Sequence, residues 1–216
     1  IRHMSAGEDR AGRHGMSRRA ATLATFAGMT ANTAIVAVQA VVLIPLYLRY
    51  IGTTVYGAWL GSGDILVWLQ AFDLGLPNLM IQRIGAAHAR NDAVAVGRWF
   101  GTGTAVLGLI AGAIALSGVL VAPVLPRVLH LAQADAGQFQ ACFALGAVAA
   151  ALLLLNNAVV GYSRAVQRTG FVNVLTVGAA IAGFAATLGT VITGWGLWSI
   201  PIGMLVRAAC MTCGSA

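Results

Sequence analysis

The sequence predicts an all-α integral membrane protein built as a bundle of six transmembrane helices, and three observations carry that prediction. Charged residues are scarce, at 9% against 59% hydrophobic, and the mean hydropathy is +0.83. Uncharged stretches recur that are long enough to cross a hydrocarbon core, which takes about 20 helical residues. The arginines fall in short clusters between those stretches. A water-soluble domain carries roughly 25% charged residues. A chain of 216 residues cannot hide this much apolar surface in one core, because surface-to-volume scaling limits burial. A bilayer removes that limit.

Residues 1–19 are polar and rich in Arg and Gly, and read as a cytoplasmic tail. The tail ends in Ser17-Arg18-Arg19, a twin-arginine-like start. The run from Ala20 to Leu48 carries no charge and far exceeds the apolar stretch of about 7–15 residues found in a signal peptide. It therefore spans and stays. Residues 20–216 then hold six helices, expected at about 22–48, 55–79, 99–125, 138–162, 171–193 and 197–216. The second is interrupted by Asp64 and Asp73. The fifth and sixth are separated by Gly194-Trp195-Gly196, a turn signal flanked by the interfacial Trp195 and Trp198.

With the N-terminus in the cytoplasm, the inner segments hold Arg2, Arg10, Arg13, Arg18, Arg19, Arg83, Arg90, Arg98, Arg164 and Arg168. The outer loops hold only Arg49 and Arg127. Basic residues favour the cytoplasmic side, so this split orients the bundle. It also explains the net charge of +7 as a topology signal. No basic stripe runs along a polar helix, as a nucleic-acid footprint requires, so no nucleic-acid partner is expected.

In the third helix, Gly97, Gly101, Ala105, Gly108 and Gly112 recur at helical spacing, and Gly57 and Gly61 do so in the second. Such strips predict close approach of another helix. Cys142, Cys210 and Cys213 sit in or at the ends of apolar runs. Cys210-Met-Thr-Cys213 has redox spacing but lacks a second pair, and all three read as small apolar helix residues.

Catalytic signatures are missing. Gly101-Thr-Gly103 does not complete a dinucleotide fingerprint. His88 and His130 are isolated, and no acid or histidine cluster has metal spacing. Asp64 and Asp73 are nine residues apart, which puts them on opposite helix faces. An enzyme is not expected, and neither is a cofactor.

Intramembrane polar groups are the informative residues, because each is costly in hydrocarbon. Asp64 lies roughly 14 Å from the outer end of helix two at 1.5 Å per residue. Gln39 in helix one and Arg207 in helix six sit at the same depth by the same counting. These three form a candidate polar site in a central cavity, with a structural ion pair or a snorkelling Arg as the competing account. Asn32, Asn156 and Asn157 lie deeper and read as interhelical hydrogen-bond partners. Asp73, Arg83 and Arg90 lie near the inner surface and read as topology and headgroup contacts.

The stretch Pro45-Leu-Tyr-Leu-Arg-Tyr-Ile-Gly-Thr-Thr-Val-Tyr-Gly-Ala-Trp-Leu60, followed by Phe72-Asp-Leu-Gly-Leu-Pro-Asn78, resembles the first two helices of bacterial O-antigen and polysaccharide flippases. These belong to the multidrug/oligosaccharidyl-lipid/polysaccharide exporter superfamily. The matching elements are Pro45, Gly52, Tyr56-Gly57 with Trp59, Asp73-Leu-Gly75, and the polar loop Arg83 to Asp92. The resemblance implies two six-helix lobes facing across a cavity in the bacterial inner membrane. It also implies a substrate, polyprenyl-diphosphate-linked oligosaccharide, moved to the outer leaflet. Such proteins are about twice this length, so a second six-helix lobe is an implied partner, beside membrane lipids. Without it, a polar cavity face would meet lipid, which is unfavourable. On this reading Arg207 and Arg49 serve the diphosphate, since Arg matches phosphate oxygens bidentately, and Asp64 and Gln39 complete the site. A cation-coupled drug exporter would instead centre on Asp64. A non-transporting scaffold for glycan synthesis is the reading from another class.

Overall fold

In a bilayer every backbone N–H and C=O must find an internal partner, and a chain this rich in Ala, Leu, Val and Gly meets that demand as helix. The computed structural model describes residues 18–71, 75–166 and 169–215, with side chains for all of these but 18–29, 31, 32, 64–71, 169 and 215. Among them the elements are α1 (Arg18–Tyr50), α2 (Thr53–Ala71), α3 (Leu76–Ala89), α4 (Ala93–Val121), α5 (Leu125–Val128), α6 (Gln133–Ala165) and α7 (Thr169–Ile192). A 3-10 turn (Gly196–Trp198) then leads into α8 (Ser199–Ser215). No strand occurs among the described residues. Among the described residues, five helical stretches are long and apolar enough to cross a membrane, namely Thr33–Tyr50, Ala93–Val121, Gln133–Ala165, Gly170–Ile192 and Gly196–Gly214. The chain is a multi-pass membrane protein.

The second expected helix, 55–79, differs most. The helix stops at Ala71, and a new one runs from Leu76 to Ala89. Gly75 takes φ 72 at the new N-terminus, and Pro77 sits in its first turn. A left-handed residue followed by Pro at the start is a helix restart rather than a continuation. The stretch expected as the inner loop is therefore largely helical. Residues 72–74, with Asp73, lie outside the described residues, as does Arg168 and nearly all of the 1–19 tail. The expected 99–125 and 138–162 helices run over Ala93–Val121 and Gln133–Ala165. At 33 residues, α6 is about 50 Å long, longer than the hydrocarbon core of about 30 Å, so its polar ends stand in the headgroup layers.

Helix α6 is the centre of the bundle. Half of its membrane window is buried, against 6% for α1. It packs on α2, α3, α4 and α8, while α1 is held chiefly by α7. One core lies where α2 starts and α4 ends: Trp59, Leu125, Phe139, Phe143 and Leu197 meet there, with the Trp59 and Phe139 rings edge to face at 6.2 Å. Beside it, the Tyr47 and Tyr56 rings meet at a tilt of 43°, their centroids 5.2 Å apart. A second core joins Met80 and Ile84 of α3 to Leu107 and Ile114 of α4 and Leu154 of α6. The outer surfaces of α1 and α4 carry Val38, Val41, Leu109 and Leu116, all more than half exposed. In water that surface is an aggregation patch, and in a bilayer it faces acyl chains.

The glycine strip expected to seat another helix is largely uncovered, and only at Gly108 would a Cβ touch a neighbouring helix, at Leu155 3.9 Å away. A Cβ built on Gly97, Gly101 or Gly112 would meet nothing within 4 Å, and Gly57 and Gly61 are equally open. Close approach is instead made by Gly103, against Met80, and by Gly118, against Ala147. These glycines lie off the strip, on the sides of α4 where α3 and α6 pack.

A polar cleft between α1, α7 and α8

Helices α7 and α8 touch backbone to backbone. A Cβ on Gly183 would stand 2.9 Å from the Gly203 carbonyl and 3.0 Å from Cβ of Arg207. One on Gly203 would collide with the Thr187 side chain. Glycine at both positions therefore sets the helix spacing, as small residues do between membrane helices. Arg207 lies one turn beyond Gly203 on the same face of α8, so the glycine contact brings its half-buried side chain against α7.

Helix α1 closes the third side. Gln39, half buried, donates from Nε2 to the Ala180 carbonyl at 3.1 Å, and this fastens α1 to α7. The three helices enclose a cleft of about 150 Å³ lined by Gln39, Tyr47, Phe184, Thr187, Met204 and Arg207, among others. The Thr187 hydroxyl donates to the Gly183 carbonyl at 2.9 Å. Among the described residues no carboxylate lines the cleft. The guanidinium of Arg207 is thus a cation inside an apolar bundle, in a cleft whose other polar groups are an amide, a hydroxyl and a phenol.

A second polar link sets the depth of α8 against α6. Asn156 donates from Nδ2 to the Ala208 carbonyl at 3.1 Å, and the Thr212 hydroxyl lies 3.2 Å from Asn156 Oδ1. Asn156 is thus the interhelical partner that its position suggested, whereas Asn157 is exposed and the side chain of Asn32 lies outside the described residues.

Of the four expected site residues, Gln39 and Arg207 share this cleft. Arg49 does not. It is exposed in the last turn of α1, its guanidinium 5.8 Å from the Tyr50 ring centroid. Asp64 belongs to α2, and its side chain is outside the described residues. Sequence reasoning missed Tyr47, Thr187 and the Gly183–Gly203 contact. A usable signal was there: Gly183 and Thr187, and Gly203 and Arg207, are both four apart. Cys142 is buried, Cys210 half buried and Cys213 exposed, all as free thiols. Among the described residues no three His, Cys, Asp or Glu side chains come together as metal ligands do. Comparison with protein-family models, with curated proteins and with solved structures finds no match.

Proposed function

We propose that the chain makes six membrane crossings and forms one lobe of a transporter that carries a polyprenyl-diphosphate-linked oligosaccharide across the bacterial inner membrane. Five crossings correspond to the long apolar helices. The sixth is α2 and α3 together, about 28 Å and 21 Å of helix joined by a break. α2 starts beside Tyr47 and Phe139, and α3 ends at the opposite end of the bundle in the turn to α4. Among the described side chains that opposite end carries Arg83, Arg90, Arg98 and Arg164, against Arg49 and Arg127 at the first, and this asymmetry supports a cytoplasmic N-terminus.

The observation that carries the reading is the Arg207 cleft. A guanidinium with no carboxylate among the described residues of its cleft, held in a bundle that faces lipid, is costly unless an anion visits. A diphosphate offers the planar oxygen pairs that Arg recognises, and Gln39 and Tyr47 add hydrogen-bonding groups. The cleft is too small for an oligosaccharide. The glycan would occupy the space between this lobe and a second one, with the polyprenyl chain left in the bilayer. The same cation weighs against an exporter of cationic drugs. The substrate class itself comes from the likeness of residues 45–78 to polysaccharide flippases.

The test is Arg207→Gln, with Arg207→Lys beside it. Arg207→Gln is expected to yield folded protein that no longer supports surface glycan, and Arg207→Lys to restore part of it, because an ammonium lacks the planar fork. Full transport by a stable Arg207→Gln protein would sink the reading. A loss of glycan that merely follows loss of folded protein would assign Arg207 to structure, as the scaffold reading requires.

A further inference from the structure

A second cleft is larger than the one around Arg207. It lies at the other end of the bundle, where the α3–α4 turn faces the last turns of α6, and it has a volume of about 640 Å³. His88, Asn91, Asp92, Val96, Phe100 and Tyr162 are its main lining residues. Phe100 and Tyr162 form its aromatic wall, their ring centroids 5.0 Å apart and their planes inclined at 56°. Asn91 takes the left-handed conformation, φ 55, that lets the chain turn there. Asp92 caps α4, accepting the Ala95 N–H on Oδ1 at 2.9 Å. The cap uses one oxygen of this exposed carboxylate, which is also part of the cleft lining. No ion pair forms among the described residues, although Arg90 precedes it in the turn and Arg164 follows Tyr162 by two positions.

Such an arrangement puts one carboxylate and two aromatic rings in the lining of one cleft, with the exposed Arg90 in the adjoining turn and the exposed Arg164 two positions past Tyr162. Each feature asks for a different charge. A carboxylate beside ring faces favours an ammonium group, whereas exposed arginines and His88 at a membrane surface favour a phosphate. The apolar side is supplied by Val96 and by the uncovered face of α4, where Gly97 and Gly101 face open space and Val94 is 73% exposed. We propose that this cleft is a binding site for a zwitterionic aminophospholipid, phosphatidylethanolamine, with its ammonium on Asp92 and the Phe100–Tyr162 wall. Its phosphate sits toward Arg90 and His88, and an acyl chain lies along the open glycines of α4. Phosphatidylglycerol brings no cation for Asp92. Phosphatidylcholine brings one that cannot donate a hydrogen bond. The inference needs only the membrane setting of the bundle and does not depend on what the chain transports.

The whole chain is reconstituted with phosphatidylethanolamine, phosphatidylglycerol and phosphatidylcholine in equal amounts and returned to mild detergent. Native mass spectrometry then measures the lipids that stay bound. The site predicts a several-fold excess of phosphatidylethanolamine over the other two. Asp92→Asn and Asp92→Ser remove the charge but keep a residue that caps a helix as well as Asp does, so both should fold and lose the excess. Asp135→Asn, at the far end of the bundle, should keep it. Equal retention of the three lipids, an excess of phosphatidylglycerol, or an excess that survives in the Asp92 variants overturns the proposal.

Discussion

Asn156 shows how a single polar side chain fixes helix register in this bundle. Its amide is buried, and both ends are engaged by α8, through Ala208 and Thr212. Asn156→Ala removes that link and is expected to lower stability by about 1 kcal/mol, the usual worth of an interhelical hydrogen bond in a membrane. Asn157→Ala, on an exposed position of the same helix, should change melting of the detergent-solubilised protein far less. The same contrast separates the two arginines expected to serve a diphosphate. Arg207 lies in the polar cleft and Arg49 outside it, over the ring of its own neighbour. Arg49→Gln should therefore leave surface glycan close to the unsubstituted level, while Gln39→Leu should reduce it. A transport defect in Arg49→Gln as deep as in Arg207→Gln would show that the cleft is not where the phosphate is held.

At the scale of elements, the spacing of α7 and α8 is set by Gly183 and Gly203. Gly203→Val forces a branched side chain into Thr187 and should destabilise the bundle by about 1–3 kcal/mol, the range for overpacking a filled interface. Gly112→Ala meets open space, and because Ala is the better helix former by about 1 kcal/mol in water, it should be neutral or stabilising. Thermal melting of the two variants checks this, and equal losses would contradict the packing described. These helices show where sequence reading stops. The long helices were legible because an uncharged run of this length has few other fates in a membrane. Their ends were not: Gln133, Asp135 and Arg164 are polar, yet α6 continues through them into the headgroup layers. Nor was the partner of each face. The regular glycine spacing in α4 falls largely on the uncovered side, while the packed side has only Gly103 and Gly118, and hydropathy cannot tell lipid from helix. Depth counting placed Gln39 and Arg207 at one level, and the structure brings them to one cleft. Tyr47 and Thr187 escaped because that cleft arises from three-helix packing rather than from any local pattern.

For the whole molecule, orientation is the first thing to establish. If the end bearing the α3–α4 turn is cytoplasmic, single cysteines at His130 or Asp135 should react with a membrane-impermeant thiol reagent on intact cells. Cysteines at Arg90 or Val166 should be spared. The reverse pattern would place the arginine-rich end outside, against the positive-inside rule. Transport is the second. On the proposed reading the cationic cleft serves an anionic cargo that moves without covalent chemistry, so loss of the protein should stall movement and leave synthesis intact. The most direct measurement is the distribution of lipid-linked oligosaccharide between the two leaflets in cells lacking the gene. The account predicts that the intermediate builds up on the inner leaflet while its synthesis continues, and that the Arg207→Gln protein does not relieve the block. Unchanged surface glycan with no accumulated intermediate, in cells shown to have no second transporter for it, would contradict the account.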